Sequence, residues 1–585
     1  MVRPLRAEKG AFMKKTIKKI GVWLGLMAML LSLYSCAPTE AVTLAAPQLT
    51  ADGIAVRWEA VDGAVAYEVA CGYELVRLKN DITEYEGREG ESVRVRAIGD
   101  GTRYLDSPWS EPIDCGHVHR DDNNDEYCDG CAEYLFVVID FYAVNDLHGK
   151  FCDTDSQPGV DELSTYFKNA RQRDDHVILL SSGDMWQGSA ESNLTGGAII
   201  TEWMNAMDFS SMTLGNHEFD WGEDAIRENL AIADFPFLAI NVFDNETGKR
   251  ADYCEPSVMV DLGAVQVGII GAIGDCYSSI SSDMVEGVHF KTGLALASLV
   301  RAEAERLRGA GADLIVYSLH DGNSMRGTQS VQTSALSSYY QSSLANYVDI
   351  VFEGHSHSYY VLKDDLGTYH LQGGGENYGI SHAEIKLDLR GGFAVTEAET
   401  VRSTVYRALE DDAAAEAIEE KYSSIIDYAY DVIGSVDSHM DSDTLSAVMA
   451  QLYLEAALEK WGEDYGIVLA GGYIKTRSPY DLEAGEVCYA DLLSLFPFNN
   501  RMVLCSVSGE KLWYQFIQNE SYAVAMSDYG NSVYNNIDFS ATYYVMVDSY
   551  TQLYSKNGLT AVAYLDDTTF ARDLLAAAIK EGRFE

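Results

Sequence analysis

Five short stretches of this 585-residue chain place a carboxylate, an amide or an imidazole just past an apolar run. "LFVVIDFYAVND" ends at Asp146, with His148 two positions on. "HVILLSSGD" ends at Asp184. "MTLGNHE" ends on Asn216 and His217, "DLIVYSLHD" on His320, and "VDIVFEGHSH" on His355 and His357. Of the chain's 12 histidines, five stand at such points. Taken singly, a polar residue beside glycine marks a turn. Five in succession are hard to ascribe to turns alone. Strands buried on both faces read as continuous apolar runs, and sheets of this kind gather ligand groups at the carboxyl ends of their strands. Carboxylates with neutral imidazoles suit a borderline divalent ion such as Zn, Mn, Fe or Co. The donors are too many for one ion, whereas two ions sharing Asp184 would use the set. Such a pair stabilises both the attacking and the leaving oxygen of an in-line phosphoryl displacement.

The elements that must hold these groups begin near residue 134, where buried strands alternate with helical segments. The length suggests roughly three to four domains. A hydrophobic content of 47% with only 10 prolines favours packed cores. Against 42 Lys+Arg stand 90 Asp+Glu, a net charge of −48. That balance repels nucleic acid and anionic lipid and attracts divalent cations.

"NDLHG", "GDMWQGS", "GNHEFDWG", "SLHDG" and "GHSH" together resemble the ordered motifs of calcineurin-like metallophosphoesterases, and "GNHEFDWG" the form seen in their 5′-nucleotidase branch. The resemblance spans roughly residues 135–400. It implies that Asp146, His148, Asp184 and His357 hold one ion and that Asp184, Asn216, His320 and His355 hold the other. It further implies that His217 acts on the phosphoryl group and that Asp220 orients it, while Glu218 is structural. His357 is the general phosphoesterase form of a position where several nucleotidases carry Gln or Asn.

The charge pattern over 401–430 reads as a long amphipathic helix. Beyond it, "GIVLAGGYIKT" and "EAGEVCYADLLSLFPFNNRMVLCSVSGEKL" resemble the 5′-nucleotidase C-terminal domain. By that resemblance Phe498 and Tyr550 sandwich a nucleobase, with Lys475 and Asn500 beside them. The chain departs from the family's glycine loop, with Ala470 for Asn, Tyr473 for Gly and Lys475 for Arg. Lys cannot reproduce the bidentate fork of Arg. These changes predict an altered specificity pocket beside an intact metal centre.

Ahead of the main body, residues 45–113 alternate short strand-like runs with turns and resemble a fibronectin type III module, with Trp58 in its core and "SPWS" near its last strand. In "CGHVHRDDNNDEYCDGCAEY", Cys115, His117 or His119, Cys128 and Cys131 have the spacing of a structural zinc knuckle; a disulfide or an acidic linker are the alternatives. Asp121, Asn123 and Asp125 mimic the start of a calcium loop, but Glu126 and Ala132 stand where its glycine and terminal ligand belong. At the N-terminus, basic "MKKTIKK", an apolar stretch and "LYSC" resemble a bacterial lipoprotein signal, with Cys36 the lipidated residue.

The expected organisation is a signal segment over 1–36 (its true start at Met13), a linker over 37–44, the fibronectin-like module over 45–113 and the knuckle or linker over 114–133. A metallophosphoesterase domain of four-layer αββα type follows over 134–400, then a linker helix over 401–430 and an α/β substrate domain over 431–585. The expected protein is a multidomain, extracytoplasmic, lipid-anchored two-metal phosphoesterase acting on nucleoside 5′-monophosphates, with no nucleic-acid partner. The alternatives are a 2′,3′-cyclic-nucleotide 2′-phosphodiesterase/3′-nucleotidase, a UDP-sugar hydrolase, or a surface adhesion protein on a nucleotidase scaffold.

Overall fold

A computed structural model describes residues 41–116, 120–128, 134–154, 158–336, 340, 344–465, 469–474, 481–519, 521–527, 537–554, 558–566 and 568–585. The signal segment with Cys36, and also His117, His119, Cys131 and Lys475, lie outside the described residues. The chain divides into two compact units, Met1–Leu135 and Phe136–Glu585.

The first unit is a small sandwich of a three-stranded and a four-stranded antiparallel sheet. Alternation in Ala55–Trp58, Ala66–Cys71 and Ser92–Ile98 turns Val56, Trp58, Tyr67, Val69, Val93 and Val95 into one core. Trp58 meets Tyr67 edge-on at 5.4 Å between ring centres. The "SPWS" serines lie along Ser92–Ile98, where Ser107 and Ser110 hydroxyls accept from the amides of Ala97 and Val95. Cys115 belongs to this sandwich core, its Sγ facing the Ile54 carbonyl at 3.9 Å. Its thiol is therefore turned into packing rather than toward the loop that follows. The Asp121, Asn123 and Asp125 side chains cap backbone amides of their own loop.

The second unit starts with two stacked sheets. One runs, in spatial order, Phe237–Leu238, Ser211–Thr213, Val177–Ser181, Phe136–Val144, Gly379–Asp388 and Phe393–Arg402. The other has seven strands and contains Gln266–Ile273, Leu314–His320 and Ile350–Glu353 as parallel neighbours. Their facing sides form one apolar layer from Ile139, Phe141, Ile178, Leu180, Ile269, Val316 and Phe352, with Phe141 and Phe352 at 6.1 Å. Helices cover the outer faces: Asp161–Arg173 and Ala198–Ala206 on the first sheet, Gly293–Gly309 on the second. This is the four-layer αββα arrangement. The long apolar runs are explained by it, because each central strand has no face left for water.

The linker helix begins later than its charge pattern suggests. Residues 401–402 end the strand Phe393–Arg402, a single turn follows at Ser403–Tyr406, and the helix proper is Ala413–Tyr430. Asp412 sets that start by accepting from the amides of Ala414 and Ala415. The C-terminal part has a five-stranded mixed sheet with the helices Ser442–Tyr465, Tyr489–Leu495 and Ala571–Lys580 packed against it.

Candidate metal centre

The strands that precede the donors all end at one place. Phe136–Val144, Val177–Ser181 and Ser211–Thr213 run parallel in the first sheet and lead into Asp146 and His148, Asp184, and Asn216 and His217. Leu314–His320 and Ile350–Glu353 run parallel in the second and bring His320, His355 and His357. The site thus lies where the carboxyl ends of two sheets meet, each supplying part of the donor set.

The donors face one another closely. His148 Nε2 and His357 Nε2 are 3.0 Å apart, and His357 Nε2 is 3.5 Å from Asp146 Oδ1. His320 Nε2 lies 2.9 Å from Asp184 Oδ2 and 3.2 Å from Asn216 Oδ1. Asp146, His148 and His357 form one group with donor atoms within 4.8 Å of one another, and Asp146, Asp184 and His320 form another. The rings of His320 and His355 are 5.6 Å apart.

Outer partners fix which ring nitrogen is presented. His148 Nδ1 and His320 Nδ1 are taken by the carbonyls of Gln187, at 2.8 Å, and Ser182, at 2.6 Å. Each Nε2 is left to face the centre, as second partners do for metal-bound imidazoles. The His355 amide donates to both Asp146 oxygens at 2.9 Å, and the His217 amide to Asp184 Oδ1 at 2.8 Å. Asp146 and Asp184 are fully buried, yet among the described residues no lysine or arginine pairs with either. Two buried carboxylates compensated by imidazoles alone make a pocket that a divalent cation fits. Burial, against the pull of Asp184, lowers His148 to about 4 and so keeps it a neutral donor.

The backbone reports the same place independently. Among the described residues, ten non-glycine residues have positive φ; five of them are Asp146, His148, Asp184, His355 and His357, with φ between 47° and 67°. Glu376 and Asn377 are two more, and the Glu376 amide donates to the Asp146 carbonyl. Left-handed conformations at such residues cost of order 1–3 kcal/mol each and collect at functional sites. The motif glycines leave room for the donors: a Cβ on Gly215 would lie 2.2 Å from Asp184 Oδ1.

His217 stands beside the donors with Nδ1 2.7 Å from Asp220 Oδ2. Burial opposes its charge, but Asp184 and Asp220 outweigh that and raise it to about 9, so the ring is an imidazolium at neutral pH. Glu218 is fully buried and accepts from the amides of Asp184, Met185 and Gly215 at 2.9, 2.7 and 2.6 Å. It ties the Asp184 turn to the Asn216 turn. Burial and Asp184 push its carboxyl up to about 7.

A cavity of about 370 Å³ opens from His148 and His357 toward the C-terminal part, lined by Lys150, Gln187, Glu376, Ser494, Pro497 and Phe498. The Phe498 ring lies 6.3 Å from that of His217 with 25° between their planes. Arg572 fixes this wall by donating to the carbonyls of Phe496 and Phe498 and to Asn499 Oδ1. Phe498 and Asn500 also line a small space with Tyr473 and Asp548. Tyr473 is buried there, edge-on to Tyr453 and Phe496 at 5.8 and 6.1 Å. Tyr550 lies in the short helix Ser549–Tyr554 and does not line that space. Lys150 and Glu376 were not singled out in the sequence. The only signal for Lys150 was its place directly after the "HG" of the first motif.

A family model for the calcineurin-like phosphoesterases matches residues 139–359, and one for the 5′-nucleotidase C-terminal domain matches 432–535. Protein UshA of Yersinia enterocolitica is 23% identical over 414 residues, covering 63% of this chain and 74% of that protein. A 2′,3′-cyclic-nucleotide 2′-phosphodiesterase/3′-nucleotidase from the same species is 25% identical over 444 residues, covering 65% and 67%. The crystal structure of a 5′-nucleotidase precursor from Thermus thermophilus superimposes with a TM-score of 0.55 at 18% identity, over 76% of this chain and 96% of that one.

Proposed function

We propose a function from this premise: the chain belongs to the calcineurin-like phosphoesterases that carry a 5′-nucleotidase C-terminal domain. It is a metal-dependent phosphoester hydrolase. The substrate we assign is a nucleoside 5′-monophosphate. The observation that carries the assignment is Phe498, an aromatic face on the far wall of the cavity whose near wall is His148 and His357. A phosphate held at the donors would leave the base within reach of that ring, where stacking contributes roughly 1–3 kcal/mol.

In this reading, Asp146, His148, Asp184 and His357 would hold one divalent ion, and Asp184, Asn216, His320 and His355 the other. When bound, the ions would neutralise phosphoryl charge and supply a nucleophile at neutral pH. The chain's own residues do the rest. Asp220 holds Nδ1–H of His217, leaving Nε2–H to donate to a phosphoryl oxygen or to pass its proton to the leaving oxygen. Glu218 keeps the two donor turns in register. Phe498 orients the base and excludes water from one side of the cavity.

Lys150 favours a second reading. It lines the same cavity and has no ion pair or hydrogen bond from its ammonium among the described residues. A sugar nucleotide or a nucleoside diphosphate would place a second phosphate where that charge can meet it. Release of phosphate, nucleoside monophosphate or sugar phosphate from AMP, ADP, UDP-glucose and a 2′,3′-cyclic nucleotide, with and without added metal, decides between the readings. Release from none of them under any metal would overturn both.

The segment over 1–36 we read as a lipoprotein signal that places the enzyme outside the cytoplasm, anchored through Cys36, with the sandwich as a fibronectin-like spacer. Mass spectrometry of the mature N-terminus tests the anchor. An unmodified start, or one away from Cys36, refutes it.

A further inference from the structure

A sixth apolar run ends at the centre. The strand Gln266–Ile273 pairs in parallel with Leu314–His320, placing Ile273 opposite His320. Three residues past its end stands Cys276, in the same relation to its strand as the other donors to theirs. Its side chain is buried, and its Sγ, one nitrogen of His320 and one of His355 all lie within 4.8 Å of one another. In the coordination sphere of one ion, donor atoms at about 2.0–2.3 Å from the metal stand at such separations from each other. The thiol has little else to do there. It makes one hydrogen bond, to the His320 carbonyl at 3.0 Å, packs at the edge of the apolar cluster beside the centre, and forms no disulfide. Its surroundings are anionic as well as buried.

We infer that Cys276 is an additional donor to the ion held by His320 and His355, and that this soft ligand makes the position prefer Zn²⁺ or Co²⁺ over Mn²⁺ or Mg²⁺. On coordination the S–H bond breaks, its proton leaves to water, and the electron pair stays on sulfur as the metal–sulfur bond forms. Thiolates favour the softer first-row ions, whereas carboxylate and amide oxygens alone favour the harder ones. The inference rests on the metal-centre reading above and adds a ligand and a metal preference to it.

The full chain, stripped by chelator and reloaded with Co²⁺, tests it. The wild type should show the visible d–d bands of cobalt on imidazole and carboxylate, plus a near-ultraviolet thiolate-to-cobalt charge-transfer band. C276S should keep the d–d bands and lose the charge-transfer band. C128S/C131S, which removes two of the three thiols of the N-terminal knuckle sequence, should keep both. In competition, Zn²⁺ should displace Mn²⁺ from the wild type at least about tenfold more readily than from C276S, the low end of what outer ligand partners alone contribute. Should C276S fail to hold cobalt, zinc-edge absorption of zinc-loaded C128S/C131S decides instead, since a sulfur scatterer at about 2.3 Å is required there. Cobalt bound without a thiolate band in the wild type overturns the role of Cys276 and leaves the metal centre standing. No cobalt bound at all overturns the metal-centre reading itself.

Discussion

The two ends of the cavity are built on opposite plans. At the metal end, five of the seven donors sit on a backbone turn that few residues adopt, and several are fixed again by a hydrogen bond to their second atom. Asp146, His148 and Asp184 show this most plainly. At the substrate end, Phe498 presents one ring face from a loop held by Arg572, and Tyr473 occupies neighbouring space with its own bulk. A reaction centre tolerates little choice of residue type, because charge and lone pairs must lie at set points. A recognition wall needs only area and shape, and several residues can supply them. The chain should therefore behave as a demanding catalyst with a permissive pocket.

The sharpest way to break this contrast is at Asp184. Asp184→Asn should lower the turnover rate by roughly 10²–10³, the cost of losing an essential electrostatic group, and should reduce bound metal in elemental analysis. An unchanged rate would mean that the donors are not the catalytic centre. His217→Ala should lower kcat by about 10² while metal content stays at the wild-type level. Asp220→Asn should show a weaker form of the same defect. Loss of metal in step with activity would make His217 a ligand rather than an acid.

At the substrate end the effects should be smaller and fall on KM. The Michaelis constant for AMP should lie near the upper end of the usual range, about 1 mM. Phe498→Ala should raise it by about tenfold, the loss of one stacking contact, and leave hydrolysis of p-nitrophenyl phosphate unchanged. Equal effects on both esters would remove the base from that ring. Lys150→Ala should raise KM for UDP-glucose by about tenfold, as for one charge-assisted hydrogen bond, with little change for AMP. The reverse pattern would place Lys150 on the scissile phosphate.

The smallest effect concerns stability, away from both ends. Burial, then the carboxylates of Glu419 and Asp411, raise Asp161 to about 7. An unfolded aspartate titrates near 3.9. Between those values the folded chain binds the extra proton, so stability falls as pH rises through the window from about 4 to about 7. Asp161→Asn should melt a few degrees higher than wild type at pH 8 and show no such gain at pH 4. Thermal melts at the two pH values check this, and an equal shift at both would refute it.

Much of the metal end was legible in the sequence because its physics restricts residue type. Few side-chain types can hold such an ion, carboxylate, amide and imidazole among them, and strand periodicity brings them to one edge. Glu218 was less legible. Its function is to accept backbone amides from turns that become neighbours only in the fold. Lys150 and Glu376 likewise gain meaning from what lies across the cavity. The start of the linker helix was misjudged because charge periodicity continues through 401–412, while the end of a strand and the Asp412 cap decide where the helix begins. Tyr473 was visible as a departure, but not that it would be buried against Tyr453 and Phe496.

The left-handed turns at five donors carry a thermodynamic consequence. The conformations that aim these side chains are paid for by whatever occupies the centre, so folding and ion supply become linked equilibria. An ion at a hundred times its dissociation constant adds about 2.7 kcal/mol to the folded state. A chain in an ion-poor surrounding would open more often and reach proteases sooner. Its working lifetime, as well as its rate, would then follow the concentration of free metal outside it.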